Sequence, residues 1–171
     1  VDDGSSDHTY TVAKSAASML PIVPVRNARN MGKGAALRAG VLQATGDYIL
    51  LCDADGATPF CEFDMLYKAL QEGRADIAIG SRVLSGATKN ITFLRRMISV
   101  IYHALCAPII PGIRDAACGF KLCTRESASR IFALQHINRF AYDIEIISLA
   151  RLCGYKLVEV PVQWKPIPGS K

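Results

Sequence analysis

The chain has 171 residues, half of them apolar and a fifth charged, a composition that predicts one globular domain and excludes a disordered polypeptide. A formal net charge of +5 would suit phosphate substrates, anionic lipid or nucleic acid. The six cysteines form no CxxC pair, which argues against a zinc cluster, and most lie in apolar stretches typical of buried thiols in a reducing compartment.

Helix and strand patterns alternate along the first half of the chain. Val1 is typical of the last residue of a strand, which predicts that a strand precedes this sequence. The apolar run 48–52 ends in an acidic loop and predicts a buried strand. The other elements predicted here are a helix from 6 or 7 to about 20, a strand at 22–25, a polar loop at 27–34, and helices at 35–44 and 62–71.

The second half continues the alternation, which predicts a single α/β domain over 1–171 with a mostly parallel sheet flanked by helices. The apolar stretch 97–110 follows Arg95 and Arg96 and is shorter than the about 20 residues of a membrane-spanning helix. Two interpretations of it stay open, a helix on a membrane surface and a core helix packed on the sheet. The elements predicted here are strands at 76–80, 120–124 and 155–164, and helices at 126–134 and 141–152.

Two carboxylates, Asp53 and Asp55, directly follow the predicted strand 48–52. Ligands of parallel sheets bind beyond the carboxyl ends of strands, and uncompensated charges are costly in a core. We therefore predict that Asp55 ligates Mg²⁺ or Mn²⁺ bridging a diphosphate, with Asp53 facing the sugar or ribose. One alternative is a helix cap with a turn. Another is the DxDGT box of haloacid-dehalogenase-type phosphatases, for which the sequence shows no clear downstream acidic partner.

Further polar residues follow other predicted strands. Asp2 and Asp3 are placed to accept hydrogen bonds from a nucleotide base or ribose, although the same residues are typical of a turn with a helix cap. Lys33 lies in a glycine-containing loop before a helix, which weakly resembles a phosphate loop but lacks the GxxxxGK[ST] spacing. Arg82 follows the strand 76–80, and arginine suits bidentate contact with phosphate.

Acidic residues of the second half are candidates for a general base. Asp143 and Glu145 are two positions apart and cannot share a helix face, so we expect one to point to the site while the other caps or pairs. The sequence does not choose between them, and Asp115 is a third candidate.

Taken together, these motifs resemble the GT-A glycosyltransferases of family 2. The first-half motifs are shared widely in that family, whereas the second-half motifs resemble those of its members that transfer glucose to dolichyl phosphate. The motifs are DDGS at 2–5, NMGKG at 30–34 and DADGAT at 53–58, then GSR at 80–82, IRD at 113–115, CGFKL at 118–122, TRE at 124–126, DIE at 143–145, Trp164 and GSK at 169–171.

The resemblance implies a GT-A (Rossmann-like) fold whose first strand is missing from this sequence. It also implies Mg²⁺ or Mn²⁺ as cofactor, UDP-glucose and dolichyl phosphate as substrates, a membrane surface as partner and no nucleic acid. The expected location is the endoplasmic reticulum membrane, with the catalytic domain facing the cytosol. Related mannose synthases typically carry DADL and SGFR where this chain has DADG and CGFK, which favours UDP-glucose over GDP-mannose.

Residue roles follow from the matching positions. The resemblance implies that Val1 and Asp3 contact the nucleotide base, with Asp2 nearby. It further implies that the DAD segment holds the nucleotide sugar and the metal, through Asp53, Ala54 and Asp55, with Asp55 as the metal ligand.

The basic residues are implied to serve the phosphates. Arg82, together with Arg114 and Lys121, is expected at the acceptor phosphate, and Lys171 is expected to approach the donor diphosphate.

The expected reaction is a single inverting displacement at the anomeric carbon by a phosphate oxygen of the lipid. That oxygen is already anionic near neutral pH, because the second phosphate pKa is about 6, so a strong base is less necessary. Asp143 is the residue assigned to the role of base. The alternatives are a mannose synthase using GDP-mannose, a soluble nucleotide-sugar enzyme, and a non-catalytic domain that binds nucleotide weakly.

Overall fold

The structure is a computed structural model and describes residues 1–85, 97, 104, 106–165 and 167. Its helices are α1 Thr9–Ala16, α2 Lys33–Val41, α3 Phe63–Gln71, α4 Arg125–Leu134 and α5 Tyr142–Leu152, with a 3₁₀ turn at Phe60–Glu62 before α3. Its strands are β1 Tyr48–Leu51, β2 Ile77–Ser81, β3 Lys121–Thr124 and β4 Leu157–Pro161.

The four strands form one mixed sheet in the order β1-β3-β2-β4. β2 and β4 pair in parallel, whereas β3 lies between β1 and β2 and is antiparallel to both. β1, β2 and β4 therefore run in one direction, as the alternation of elements predicts. The reversed direction of β3 was not predicted, because the sequence pattern of a buried strand does not reveal its direction.

The sheet is buried on both faces, which explains why its strands read as continuous apolar runs. On one face, Ile77, Ile79 and Leu51 pack with α4, α5 and the segment 106–116. On the other face, Ala78 and Leu122 pack against α3, whose buried residues recur at helical spacing: Leu66, Ala69 and Leu70. Helices on both sides of a sheet make this the predicted α/β architecture.

The predicted strand 22–25 is wrong for the described structure. That region forms one isolated parallel bridge, between Asp2 and Arg26. Pro24 has no N–H to donate to a ladder, which limits extension of this pairing along 22–25.

The first helix is also shorter than predicted. It ends at Ala16, and the chain leaves it through tight turns in which Ser18 N donates to Ser15 O at 3.2 Å. The choice between a membrane-surface and a core helix for 97–110 falls mostly outside the described residues, but Cys106 and Ile110 at its end are buried in the core.

Candidate functional site

The candidate site lies where the three parallel strands end. Asp53 follows β1, Arg82 follows β2 and Trp164 follows β4, while β3 starts at this same edge because it runs the other way. These residues border an open pocket, whose lining is Cys52, Asp53, Ala57, Thr58, Arg82, Cys118, Gly119, Phe120 and Trp164. The carboxyl edge of the parallel strands is the usual ligand edge of such sheets.

Asp53 is held between a cation and a glycine. Lys33, the first residue of α2, places its Nζ 2.5 Å from Asp53 Oδ1. Gly119 backs the same carboxylate so closely that a Cβ on it would lie 2.5 Å from Asp53 Cγ. Lys33 and Gly119 thus contact the Asp53 carboxylate from two sides, and a side chain at position 119 would displace it.

Asp55 lies in the turn beyond Asp53 and is exposed, as is Ala54 between them. Its Oδ1 accepts a hydrogen bond from Ala57 N at 3.0 Å, which orders the loop. The two carboxylates supply hard oxygen donors of the kind that Mg²⁺ and Mn²⁺ prefer. No group of three or more His, Cys, Asp or Glu side chains suited to a metal occurs among the residues that the structure describes.

Arg82 is oriented by Asp115. Its Nε and Nη2 donate to the two carboxylate oxygens at 2.8 and 2.7 Å, its backbone N–H donates to Oδ2 at 2.8 Å, and its guanidinium lies 5.6 Å from the centre of the Trp164 ring. Burial alone would lower the pKa of Arg82, but the hydrogen bonds to Asp115 and its charge outweigh burial and raise the pKa. The guanidinium is thus a permanent, fixed cation at the pocket.

Asp3 joins the start of the chain to the glycine loop before α2. Its carboxylate accepts from Asn27 Nδ2 at 2.7 Å and from the backbone N–H groups of Met31 and Gly32 at 3.0 and 2.7 Å. Burial raises its pKa, but these bonds and the charge of Arg139 lower the pKa below its ordinary value on balance. Asp3 therefore orders the loop that carries Lys33.

Asp2 and Val1 differ in exposure. Asp2 is buried, its Oδ2 lies 3.1 Å from Arg26 Nε, and its Oδ1 accepts from Ser5 N at 3.2 Å. Val1 is 58% exposed and faces Gly40 of α2. Both lie on the α2 side of the site, and their predicted role at a nucleotide base stays a prediction.

Lys121 and Asp143 form a buried ion pair. Lys121 is 1% exposed, and its Nζ lies 2.5 Å from both Asp143 Oδ1 and Cys118 O. The ring of Tyr142 lies 6.0 Å from this Nζ and 6.0 Å from that of Lys33. Burial, followed by the charge of Asp143, raises the pKa of Tyr142, which therefore keeps its proton. Neither Lys121 nor Asp143 presents its charge to solvent, so their predicted substrate and catalytic roles stay predictions.

The other predicted residues divide between the loops and the undescribed part of the chain. Glu145 accepts hydrogen bonds from His136 N and Ile137 N, both at 2.8 Å, which tie the 136–137 loop to α5 and do not cap the helix. Arg114 is exposed, and its backbone N–H donates to Glu159 at 2.9 Å. Lys171 lies outside the described residues.

The pocket thiols are protonated. Burial and the charges of Asp53 and Asp55 raise the pKa of Cys52, and burial together with Asp115 raises that of Cys118. Neither is therefore a ready thiolate nucleophile. The expectation of mostly buried thiols is confirmed in part: Cys106, Cys118 and Cys123 are buried and Cys153 is half-buried, whereas Cys52 and Cys61 are exposed.

Sequence analysis did not assign roles to Gly119, Glu159 or Tyr142. Glu159 has the clearest sequence signal, since it is one acid in the apolar strand β4. The other two gain their positions from packing between distant segments, which a local pattern does not report. Separately, none of the helices that the structure describes has the length and apolarity needed to span a bilayer.

Comparison with known proteins places the chain in a family. A family model described as glycosyl transferase family 2 matches residues 1–132. Dolichyl-phosphate beta-glucosyltransferases of Trichomonas vaginalis and Homo sapiens are 43% and 36% identical over 100% of this chain, which covers 54% and 56% of them, so the chain spans about half their length.

Solved structures show the same fold. The glucosyl-3-phosphoglycerate synthase of Mycobacterium tuberculosis, crystallised with Mn²⁺, UDP-glucose and phosphoglyceric acid, superposes with a TM-score of 0.57 at 20% identity, over 96% of this chain and 59% of that one. The family match covers most of the chain, including Asp53, Asp55, Lys33 and Arg82. The chain belongs to glycosyl transferase family 2.

Proposed function

We propose that the chain is a GT-A catalytic domain that transfers glucose from UDP-glucose to dolichyl phosphate with inversion, giving dolichyl β-glucosyl phosphate. The observation that carries the proposal is that Asp53 and Arg82 border the same pocket. The pocket thereby combines a carboxylate for the sugar and the metal with a fixed cation for phosphate. The names of the relatives supply the sugar and the lipid, and they refer to proteins of about twice this length.

Asp55, supported by Asp53, would hold Mg²⁺ or Mn²⁺. The fit rests on the exposed carboxylates at the end of β1 and on their hard oxygen donors. The structural neighbour that binds Mn²⁺ and UDP-glucose has the same fold, which supports this assignment. When bound, the ion supplies Lewis-acid stabilisation of the charge on the leaving diphosphate.

The chemistry that remains is mostly positioning and charge compensation. A phosphate oxygen of the lipid attacks C1 of glucose from the face opposite the diphosphate, and the C1–O bond to UDP breaks with its electrons passing to the diphosphate oxygen. Arg82 and Lys33 offset the repulsion between the two phosphate groups. Arg114, Lys121 and Lys171 are proposed to assist them.

No strong general base is required for this nucleophile, since a phosphate monoester with a second pKa of about 6 is mostly dianionic at neutral pH. The burial of Asp143 against Lys121 agrees with that expectation. In the proposal, Val1, Asp2 and Asp3 lie at the nucleotide base and Ala54 at the nucleotide sugar.

The acceptor is a lipid, so we place the reaction at a membrane surface, that of the endoplasmic reticulum, with the domain on the cytosolic side. The support is that the similar proteins are dolichyl-phosphate beta-glucosyltransferases, whose acceptor is a lipid. Nucleic acid has no place in this reaction.

The test is transfer of radiolabelled glucose from UDP-glucose to dolichyl phosphate in detergent micelles, with Mn²⁺ or Mg²⁺ and with EDTA, by the complete polypeptide that carries this chain. Metal-dependent labelling of the lipid is expected. Labelling from GDP-mannose alone would overturn the donor, and labelling of phosphoglycerate in place of the lipid would overturn the acceptor. Absence of transfer to either acceptor by a folded protein would overturn the reaction.

A further inference from the structure

Glu159 of β4 binds the backbone of the 114–115 loop, whose Asp115 holds the guanidinium of Arg82. Its carboxylate accepts the N–H of Arg114 at 2.9 Å through Oε2 and the N–H of Asp115 at 2.8 Å through Oε1. Val158 and Val160 on either side of it pack on the α3 face, so Glu159 points to the opposite face of the sheet, where the 106–116 segment packs. An acid in an apolar strand is thus explained by two bonds to one short loop.

The contacts continue from this loop to the pocket. Asp115 is 6% exposed and binds Arg82 through three hydrogen bonds, two of them from the guanidinium. A bidentate pair fixes the plane of the guanidinium as well as its distance. Because arginine carries five side-chain N–H groups, the pair itself leaves three of them for an anion at the pocket that Arg82 borders.

We propose that Glu159 is a positioning residue for the acceptor: by holding the backbone of Arg114 and Asp115, it sets the carboxylate that aims Arg82 at the acceptor phosphate. Glu159 does not border the pocket, and its effect on Arg82 passes through Asp115. The identity of the anion rests on the proposed function, whereas the positioning of Arg82 does not.

The kinetic test is a double-mutant cycle of Glu159→Gln with Arg82→Lys. The glutamine amide keeps one acceptor and turns an N–H toward the second backbone donor, so we expect the KM for acceptor to rise about tenfold, since hydrogen bonds to charged groups carry that order of energy. The KM for nucleotide sugar should stay nearly unchanged. In the Arg82→Lys background, Glu159→Gln should add little, because its effect passes through Arg82. Equal effects in both backgrounds would overturn the proposal.

Glu145→Gln is the matched control. Glu145 also accepts two successive backbone N–H groups, at the 136–137 loop, so the substitution removes the same kind of bond from a different place. Its effect should combine additively with that of Arg82→Lys. Coupling as strong as that of Glu159 would show a general loosening of the fold and would overturn a specific role.

Amide hydrogen exchange tests the positioning without any activity. The Arg82 N–H donates to Asp115 and does not contact Glu159, so Glu159→Gln should speed its exchange together with that of the Arg114 and Asp115 amides. Glu145→Gln should leave the Arg82 amide unchanged. Faster exchange of the Arg114 and Asp115 amides with an unchanged Arg82 amide would overturn the proposal, even if the enzyme transfers glucose. Faster exchange of the Arg82 amide would support the proposal, even if no glucose transfer is found.

Discussion

Asp53 owes its position to a residue that has no side chain. Gly119 lies against its carboxylate, and Lys33 holds Oδ1 from the other side. The arrangement joins the end of β1, the start of α2 and the loop before β3, three segments that are distant in sequence. Asp53 is therefore placed by the fold rather than by its own loop.

Gly119→Ala is predicted to lower kcat/KM by about a hundredfold, because a displacement of about 1 Å at a reacting centre has that order of effect. The added Cβ would force the Asp53 carboxylate away from Gly119. Steady-state kinetics with UDP-glucose as the varied substrate measures this loss of kcat/KM. Gly46→Ala is the control, since its Cβ meets Tyr48 O at 3.1 Å away from the pocket. Equal losses in both variants would contradict the role given to Gly119.

The Lys121–Asp143 pair is a second feature of single residues. Both side chains are buried, so removing one partner leaves the other charge without compensation. Such pairs contribute little as a pair but are costly to break.

Asp143→Asn is predicted to lower the free energy of unfolding by about 3–5 kcal/mol, the usual result of breaking a buried pair. Replacing both residues, as Lys121→Met with Asp143→Leu, should recover most of that loss. Urea unfolding measures both. Asp47→Asn, which removes an exposed partner of Arg125, should have little effect. A double variant less stable than Asp143→Asn would contradict this account.

Between elements, Asp3 ties the start of the chain to the loop that begins α2. The bonds from Asn27, Met31 and Gly32 favour its ionised form and lower its pKa below the ordinary 3.8. A group with a lowered folded pKa stabilises the fold above its unfolded pKa, and that stabilisation is lost as the pH falls through the folded pKa.

Asp3→Asn is therefore predicted to be less stable than the wild type at neutral pH. The difference should begin to shrink below about pH 4, where the carboxylate of the unfolded chain gains its proton, and should vanish once the folded carboxylate is protonated at lower pH. Denaturant unfolding of both proteins across this range measures the difference. A difference that stays constant down to the acid limit would show that Asp3 acts through its shape alone.

Helices and strands could be predicted from the sequence where the pattern that specifies them lies within the element itself. An apolar run that ends in Asp53 and Asp55 marks a strand and its site within nine residues, and the pattern at α3 marks one buried helix face. The direction of β3 and the hydrogen bond from the Arg114 N–H to Glu159 could not be predicted, because each depends on the position of a segment that is distant in sequence. The same holds for the pairing of Lys121 with Asp143, two residues that were expected to serve the acceptor phosphate and a base separately.

At the scale of the whole molecule, strand direction assembles the site. β1, β2 and β4 deliver Asp53, Arg82 and Trp164 to one edge, and Lys165 N donates to Ala57 O at 2.9 Å, joining the chain beyond β4 to the acidic loop. The net charge of +5 favours anionic substrates at such an edge. We therefore propose that this edge holds a nucleoside diphosphate together with a divalent ion at the end of β1.

The most direct measurement is calorimetric titration of UDP into the protein with Mn²⁺, for the wild type, Asp55→Asn and the exposed control Asp64→Asn. We expect UDP to bind in the presence of Mn²⁺ and EDTA to abolish this binding. Asp55→Asn should weaken the binding by at least about tenfold, because the ion loses a carboxylate ligand, whereas Asp64→Asn should leave it unchanged. UDP binding that is independent of metal, or that Asp55→Asn does not weaken, would contradict it.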